Sequence, residues 1–354
     1  MSLRIIEVDD PAWDLTVNKS SAPFFYSAAY NRFCSAVAAS RPIMLLFESP
    51  EGFIFDVTIA KNISALPFFA SVDNDFTTPP IDLESADYNG PIAVCRNGGL
   101  LPLLQAYRRA VDEYCSRNSV VTEFVRFHPL AGLAPELGGT IASSVIYVDL
   151  RSGYEVARQR YRHGHKSTIK KAQREGARVE FVVPTKLNIL RLASLYQETM
   201  ERKEAKSIAF RSEEFFVRLF DIFGDKALLV EAYAGDALVS SCVFLRSARE
   251  LWFAYSGTVL ERLNSGAHTF AVDQVIQWAA ANGIDYVFLG GGVNPGDSLQ
   301  RSKTGFSHLT ASTRHLRKVH NPRHLEYLCE AKARYNSSLG KPIRTDYFPS
   351  YWLD

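Results

Sequence analysis

The chain has little of what marks several common protein classes. Its 354 residues include only five cysteines, an odd number in which no Cys-x-x-Cys pair occurs. Neither a disulfide framework nor a zinc site is therefore indicated, and a cytoplasmic location fits best. No run of eighteen apolar residues occurs, and no basic segment followed by an apolar run opens the chain. We expect neither a membrane span nor a signal peptide.

Excess charge and familiar catalytic motifs are also missing. The 40 Lys and Arg residues nearly balance 38 Asp and Glu residues, which leaves a net charge of +2. A field of that size cannot hold nucleic acid by itself, so any anion site must be local. No Ser-His-Asp order, metal-ligand spacing or Walker-type loop is present, and hydrolase, metalloenzyme and nucleotidase functions lose support. We expect no metal and no tightly bound cofactor.

The length exceeds that of a typical single core, which favours two domains. In the first half, apolar runs at 43–47, 53–59 and 65–70 indicate an antiparallel meander. A helical pattern over 100–117 and an apolar strand over 120–127 follow.

The second half repeats that order. Three strands are predicted at 227–234, 238–245 and 250–256, because each pair is separated by a short turn. A helix over 268–282 leads into an apolar strand over 284–289.

These patterns predict an α+β protein with two tandem domains, each a mixed, largely antiparallel sheet flanked by helices. We place the first domain at 1–140 and the second, which carries the candidate chemistry, at 141–320. For the C-terminal helix and tail, 321–354, packing back on the first domain is one option.

A basic helix is predicted from about Tyr154 to Arg174. Four of its cations step by four residues and would share one face, which suits phosphates: Arg158, Arg162, Lys166 and Lys170. The simpler interpretation of each single charge is a solvated surface. His163 has no visible partner for a role as base, and His165 fits a hydrogen-bonded core histidine better.

Two further stretches favour a catalytic pocket. Three glycines, 290–292, follow a predicted strand and would let the backbone approach a ligand closely. Lys303 lies beside a glycine and an aromatic residue, where its ammonium could neutralise a carbonyl oxyanion or a phosphate, although it could also be a surface lysine. Strand alternation puts Tyr255 on the same face as Leu251 and Phe253, in the core or a cleft.

Several short motifs keep a common order along nearly the whole chain. They are Tyr88-Asn89-Gly90-Pro91, 123–129 (EFVRFHP), 166–172 (KSTIKKA), Thr199-Met200-Glu201-Arg202, Gly290-Gly291-Gly292 and Lys303-Thr304-Gly305-Phe306. With them the chain resembles the FemAB family of peptidoglycan aminoacyltransferases and their wider GNAT (acetyltransferase) relatives. The fold that this resemblance implies is two GNAT folds side by side. The activity is transfer of an aminoacyl group from aminoacyl-tRNA to an amine of a cell-envelope precursor, the muropeptide side chain.

The resemblance also implies site residues. Lys303 would lie near the transferred carbonyl, with Tyr255 as a second catalytic candidate. The residues expected to bind substrate or phosphate are Arg162, Lys166, Lys170, Arg202, Gly291 and Phe306. Acetyltransferases place Arg/Gln-x-x-Gly-x-Gly/Ala before the helix that opens at 268 and hold the coenzyme A pyrophosphate there. This chain has a degenerate version, in which Arg262, Ser265 and Gly266 would contact the donor.

Two alternatives stay open. The 127–129 stretch resembles equally well the sugar N-acyltransferases of surface polysaccharide synthesis that use acyl-CoA, so the donor is either aminoacyl-tRNA or acyl-CoA. The other alternative is a non-catalytic module that only binds RNA or a precursor. For the enzyme, we expect direct attack of a neutral amine on the activated carbonyl, without a covalent enzyme intermediate.

Overall fold

The structure is a computed structural model that describes residues 2–20, 22–35, 40–72, 76, 78–96, 99–130, 133–206, 209–292, 296–343 and 347–352. Within these ranges, none of the helices is long and apolar enough to cross a membrane. The chain divides into two compact units, unit 1 (1–142 with 313–354) and unit 2 (143–312).

The strands of the described ranges are β1 (Ser2–Glu7), β2 (Ser40–Ser49), β3 (Gly52–Asn62), β4 (Ile81–Glu84), β5 (Ile92–Cys95), β6 (Val120–Arg126), β7 (Thr140–Asp149), β8 (Ala177–Val182), β9 (Ala227–Ala234), β10 (Ala237–Ser247), β11 (Glu250–Thr258), β12 (Tyr286–Gly290) and β13 (Thr310–Val319). The helices are α1 (Ala12–Lys19), α2 (Ala28–Ser35), α3 (Leu100–Arg117), α4 (Tyr154–Gln159), α5 (His163–Arg174), α6 (Lys186–Arg202), α7 (Glu213–Phe223), α8 (Ala267–Ala281), α9 (Ser298–Lys303) and α10 (Pro322–Ser338).

Unit 1 is built on a sheet in the order β1-β2-β3-β4-β6-β13, with β5 paired to β3. The strands are antiparallel except for the parallel pair β4 and β6. Helix α3 buries Leu103, Tyr107 and Val111 against β2 and β3. The predicted helix over 100–117 and strand near 120–127 are confirmed.

The third strand of the predicted meander, at 65–70, is wrong. Two 3₁₀ turns, Ile63–Ala65 and Pro67–Ser71, occupy this stretch. Pro67 has no N–H to give to a sheet ladder, so the chain turns here, and β4 takes the place beside β3.

The C-terminal segment is part of unit 1. Helix α10 buries Leu328 and Ala331 against the 3₁₀ turns, and Tyr351 lies in the same core cluster. The buried carboxylate of Asp82 accepts hydrogen bonds from the Tyr351 hydroxyl at 2.7 Å and from Trp352 Nε1 at 2.7 Å. It also accepts from the backbone N–H and the hydroxyl of Thr122 at 2.9 and 2.7 Å. This network joins the end of the described chain to the centre of the sheet.

A second buried network lies under α3. The carboxylate of Glu123 accepts from Arg108 at 2.8 and 2.6 Å and contacts His320 Nε2 at 2.9 Å. Burial opposes ionisation of Glu123, but the hydrogen bonds from His320 and Arg108 outweigh it and lower its pKa to about 2.

Unit 2 has the sheet order β7-β12-β11-β10-β9-β8. The meander β9-β10-β11 is antiparallel, as predicted, and α8 crosses to β12, which pairs parallel with β11. Helices α4, α5 and α8 share one large core cluster with the sheet. On the other face, α6 lies directly on β11, because a Cβ at Gly257 would come within 2.3 Å of the Leu195 carbonyl carbon.

The predicted single basic helix is in fact two helices. α4 ends at Gln159, and α5 begins after Arg162, whose extended backbone (ψ 145°) acts as the N-cap. The break rotates Arg158 away from the other three cations, so the predicted common face does not include it. Its Nε lies 4.0 Å from the buried carboxylate of Asp273 on α8.

Candidate functional site

A gap opens between the two parallel strands of unit 2. Only Glu250–Trp252 of β11 pairs with 286–288 of β12. Beyond this pairing β11 continues for six residues, 253–258, and β12 for two, 289–290, and neither forms a ladder pair with the other. Because parallel strands end at the same edge of a sheet, the unpaired carboxyl ends of β11 and β12 lie at one edge, where an extended ligand could enter between them.

Unit 1 has the same strand order but no such gap. Its parallel strands β4 and β6 are paired from Ile81 to Glu84, and an isolated bridge joins Asn89 to Phe127 further on. In between, the backbone N–H of Ser85 donates to the Phe124 carbonyl at 2.9 Å. The parallel strands of unit 1 therefore stay joined where those of unit 2 separate.

Lys303 lies at the β12 side of the gap. It ends α9, and its Nζ donates a 2.7 Å hydrogen bond to the carbonyl of Gly291, just past β12. Gly290 has a positive φ of 79°, and a Cβ there would lie 3.1 Å from the Lys303 Nζ. The two glycines thus provide both the acceptor and the space for the ammonium group.

The electrostatics of Lys303 suit a group that acts near neutral pH. Burial lowers its pKa, the neighbouring Lys203 ammonium lowers it further, and Asp297 opposes both, which leaves it at about 8. At pH 7 most Lys303 side chains carry the proton, yet burial leaves the resulting ammonium poorly solvated. Such a group stabilises a nearby negative charge more strongly than a surface lysine does.

The turn after Lys303 supports the first turn of α5. The Arg162 N–H donates to the Gly305 carbonyl at 2.9 Å, and His165 Nε2 is 2.9 Å from the Ser302 carbonyl. Gly305 has no space for a side chain, since a Cβ would lie 2.0 Å from the His165 ring. The basic helix and the Lys303 turn are therefore packed against each other, and His165 is the hydrogen-bonded histidine that the sequence suggests.

Three of the predicted substrate-binding residues have partners within the chain. Lys166 Nζ donates to the Gln159 carbonyl at 2.8 Å and caps the end of α4. Arg202 donates to the carbonyl and hydroxyl of Thr258 at 3.2 and 2.9 Å and fixes the end of β11. Phe306 is buried, with its ring 5.3 Å from that of Tyr161. The sequence shows these side chains as available because it does not show what packs against them.

Arg162 and Lys170 remain exposed on α5. Neither side chain has a carboxylate partner among the residues that the structure describes. Of the predicted basic face, these two cations are the ones left to meet an anion.

The placement of Tyr255 corrects the strand prediction. Its ring packs 5.5 Å from Phe216 and 5.8 Å from Tyr196, on the face covered by α6 and α7. Leu251 belongs to the core cluster on the opposite face, and Phe253 packs against that cluster. A β-bulge causes this change, because the register with β10 shifts between Phe253 and Tyr255 and leaves Ala254 unpaired.

The loop before α8 is held by its own neighbours. The Ser265 hydroxyl accepts a 3.3 Å hydrogen bond from the Ala267 N–H. Gly266 is left-handed with φ 76°, and a Cβ there would lie 2.7 Å from the Thr168 methyl group of α5. Arg262 is exposed on the preceding 3₁₀ turn. The predicted donor loop therefore lies against α5, and the Ala267 N–H already has an acceptor in the Ser265 hydroxyl.

Sequence reasoning missed the other polar groups at this edge of the sheet. Lys203 follows α6 directly, and Asp297 is the N-cap of α9, accepting from the Gln300 N–H at 2.7 Å. His268, in the first turn of α8, has its Nδ1 2.8 Å from the Ser240 hydroxyl of β10. A polar residue at a helix start, two positions after Gly266, was the only available signal for His268. No group of three or more metal-ligating residues occurs within the described ranges.

Comparisons with known proteins agree with this architecture. Residues 159–295 match the family described as "Acetyltransferase (GNAT) domain". The crystal structure of FemX superposes with a TM-score of 0.69 at 10% identity, covering 92% of this chain and 99% of FemX. A conserved protein of unknown function from Bacteroides thetaiotaomicron VPI-5482 gives a TM-score of 0.53 at 7% identity, with 90% and 99% coverage. No curated protein sequence matches the chain.

The GNAT match covers residues 159–295, and together with the opened parallel pair of the sheet it defines the class of the chain as an acyltransferase. Its α+β architecture is the one predicted from the sequence. The fold is similar to that of FemX, which confirms the FemAB-like resemblance seen in the motifs.

Proposed function

We propose that this protein is an N-acyltransferase that moves an aminoacyl or acyl group from an activated donor to an amine of a cell-envelope precursor. The observation that carries the proposal is the Lys303 ammonium at the open end of β11 and β12, held by the Gly291 carbonyl. The FemAB-like fold supports the choice of acceptor, since FemX is a peptidoglycan aminoacyltransferase.

In the proposed reaction, the neutral amine nitrogen attacks the carbonyl carbon of a thioester or ester. The C=O π electrons move to oxygen, and the Lys303 ammonium stabilises the oxyanion. When the intermediate collapses, the bond to sulfur or oxygen breaks, the leaving group takes the electron pair, and the extra proton on nitrogen passes to the leaving group or to solvent. Positioning of the two substrates contributes about 7 to 11 kcal/mol in such reactions, and an oxyanion donor about 3 to 4 kcal/mol.

The chemistry is assigned to unit 2 because its parallel strands separate, whereas those of unit 1 stay joined from Ile81 to the Asn89–Phe127 bridge. An acyl chain needs room between strands, and β11 and β12 leave their carboxyl ends unpaired with each other.

The donor that the site favours is an aminoacyl ester of tRNA. The Ser265 hydroxyl accepts the hydrogen bond of the Ala267 N–H, which would otherwise be free to bind a pyrophosphate. The methyl group of Thr168 packs against Gly266. Arg162 and Lys170 on the adjacent helix offer exposed cations for a nucleic-acid backbone. Acyl-CoA is the second candidate, supported by the GNAT match itself.

The test is to give the purified full chain 14C-labelled aminoacyl-tRNA or 14C-labelled acetyl-CoA, each with a UDP-linked muropeptide as acceptor. We expect the label to reach the acceptor amine from aminoacyl-tRNA. Lys303→Ala should lower kcat by about 100- to 1,000-fold, with KM changed little, because the lost interaction exists mainly in the transition state. The exposed Lys226 provides the matched control, and Lys226→Ala should leave both constants unchanged.

Three outcomes would contradict parts of this proposal. Transfer from acetyl-CoA alone would replace the donor. Near-normal turnover by Lys303→Ala would remove Lys303 from catalysis. A chain that transfers from neither donor, yet binds tRNA with strong salt dependence, would be a binding module instead.

A further inference from the structure

His268 is a half-buried polar residue of unit 2 that the proposed reaction does not yet use. It lies in the first turn of α8, and its Nδ1 is 2.8 Å from the hydroxyl of Ser240. Ser240 is the direct cross-strand neighbour of Thr258, the last residue of β11. His268 is thereby anchored at the level where β11 ends, on the β11 side of the gap.

The opposite side of the gap carries Lys303, which is fixed at the end of β12. Because β11 and β12 are parallel, their ends lie at one edge of the sheet. Lys203 links the two groups electrostatically, since its charge acts both on the His268 ring and on the Lys303 ammonium. An activated carbonyl placed between the diverging strands would have a donor on each side.

The far side of the imidazole is open. Nε2 has no hydrogen-bond partner in the described part of the chain, and it is not among the buried polar atoms that lack one. The other contacts of the imidazole are the Phe253 ring, whose centroid is 6.2 Å away, and the Cys242 sulfur, 3.7 Å from Nδ1. Nε2 is therefore the atom that this arrangement presents to a ligand.

We propose that His268 is a second catalytic residue, whose neutral imidazole donates its Nε2–H to the same carbonyl oxygen that Lys303 stabilises. This inference rests on the acyl transfer proposed above. In the attack step both donors shorten their hydrogen bonds to the developing oxyanion without giving up a proton, and in the collapse step the π bond re-forms as the leaving group departs. The electron count of the reaction is unchanged.

The tautomer follows from the chemistry around Nδ1. Ser240 lies 3.3 Å from the Cys242 sulfur and 2.8 Å from Nδ1. We assign the Ser240 hydroxyl as the donor to Nδ1, because imidazole nitrogen is a better acceptor than sulfur, and this assignment places the ring proton on Nε2. A neutral imidazole at a helix N-terminus acts in the same way as a carbonyl polariser elsewhere.

The charge state agrees with a donor rather than a base. Burial and the Lys203 ammonium lower the pKa of His268 to about 4, so the ring stays neutral at pH 7 and accepts a further proton poorly. The Asp297 charge raises the pKa of both Lys203 and Lys303 and so partly offsets the lowering of each by burial. Cys242 is no nucleophile here, because burial raises its pKa to about 12.

The first experiment is independent of activity. Long-range 1H–15N correlation spectra of the 15N-labelled full chain report which ring nitrogen carries the proton, and His268→Gln identifies the signals of this residue. We expect protonation at Nε2 and no titration above pH 5. Protonation at Nδ1, or a titration near pH 6.5, would overturn the donor assignment while leaving the proposed transferase function intact.

The second experiment separates the roles by kinetics. Glutamine can place an N–H near the position of Nε2 but cannot act as a base, and alanine can do neither. We expect His268→Ala to lower kcat about 100-fold with KM within about threefold, and His268→Gln to recover to within about tenfold of wild type. Equal losses in both variants, or no loss in either, would contradict the inference.

Two controls complete the design. His308 is exposed in the same unit, and His308→Gln should leave kcat unchanged. Thermal unfolding of each variant shows whether a loss of rate reflects a loss of folded protein. If the wild-type chain transfers from neither labelled aminoacyl-tRNA nor acetyl-CoA, the proposed function fails and this inference fails with it, whatever the tautomer.

Discussion

The charge of Lys203 should set the pH range in which the transferase works. Lys203 follows Arg202, which is hydrogen-bonded to Thr258 at the end of β11. The ammonium of Lys203 lowers the pKa of Lys303. Replacing Lys203 with methionine removes this charge and keeps an unbranched apolar side chain of similar length. The perturbation is therefore mainly electrostatic.

The magnitude follows from the causes of the Lys303 shift. Its pKa falls from 10.5 to about 8, burial is the largest cause and Lys203 the second. Two charges at such a site interact by about 1 to 2 kcal/mol at an effective dielectric constant near 20, or roughly one pKa unit. Lys203→Met should therefore raise the pKa of Lys303 to roughly 9.

The sign of the effect is set by the active form. If the ammonium stabilises the oxyanion, kcat falls as pH rises through the pKa of Lys303. At pH 9 about one tenth of Lys303 is protonated when its pKa is 8, but about one half when it is 9. Normalised to its own plateau, the variant should be about fivefold more active than wild type at pH 9.

The assay is the pH profile of kcat between pH 6 and 10 at saturating labelled donor. Asp297→Asn is the opposite perturbation, because Asp297 raises the pKa of Lys303 and asparagine can keep the cap on α9. Its alkaline limb should move to lower pH. If kcat of the wild type does not fall at alkaline pH, or if the pH of that fall is the same in both variants, Lys303 is not the titrating cation.

Three predictions concern stability. Gly305→Ala should lower the free energy of unfolding by about 1 to 3 kcal/mol, because its Cβ would lie 2.0 Å from the His165 ring. Gly164→Ala is the matched control: a Cβ there meets nothing within 4 Å, so this variant should be about 0.5 kcal/mol more stable. Urea titrations measure both. Asp82→Ala should cost about 3 kcal/mol or more and expose the C-terminal segment to limited proteolysis, because four donors, three of them in buried hydrogen bonds, lose their acceptor. The lowered pKa of Glu123 stabilises the fold above pH 4.5, and about 3 kcal/mol should be lost as pH falls toward 2. Glu123→Gln should flatten that slope in acid titrations followed by circular dichroism. A wild-type profile without the slope would contradict the assignment.

Local patterns in the sequence were enough for the fold class and for many of its helices and strands. The short turns at 235–236 and 248–249 make β9, β10 and β11 a hairpin series, and the apolar face of α3 appears at helical spacing. Such features depend on residues that are neighbours in the chain. The motifs then identified the FemAB-like fold, although each one is short.

The composition of the site was decided by tertiary structure. Lys166, Arg202 and Phe306 have the residue types of a substrate site, but each contacts a backbone or aromatic group of the chain, and those of Arg202 and Phe306 are distant in sequence. In contrast, His268 gains its setting from Ser240, 28 positions away in the chain. A single β-bulge at Ala254 turned Tyr255 to the other face of the sheet. Charge and periodicity are properties of a segment and can be read from the sequence. Burial, hydrogen-bond partners and pKa depend on which segments contact each other, and only the packing of the helices on the sheet determines this.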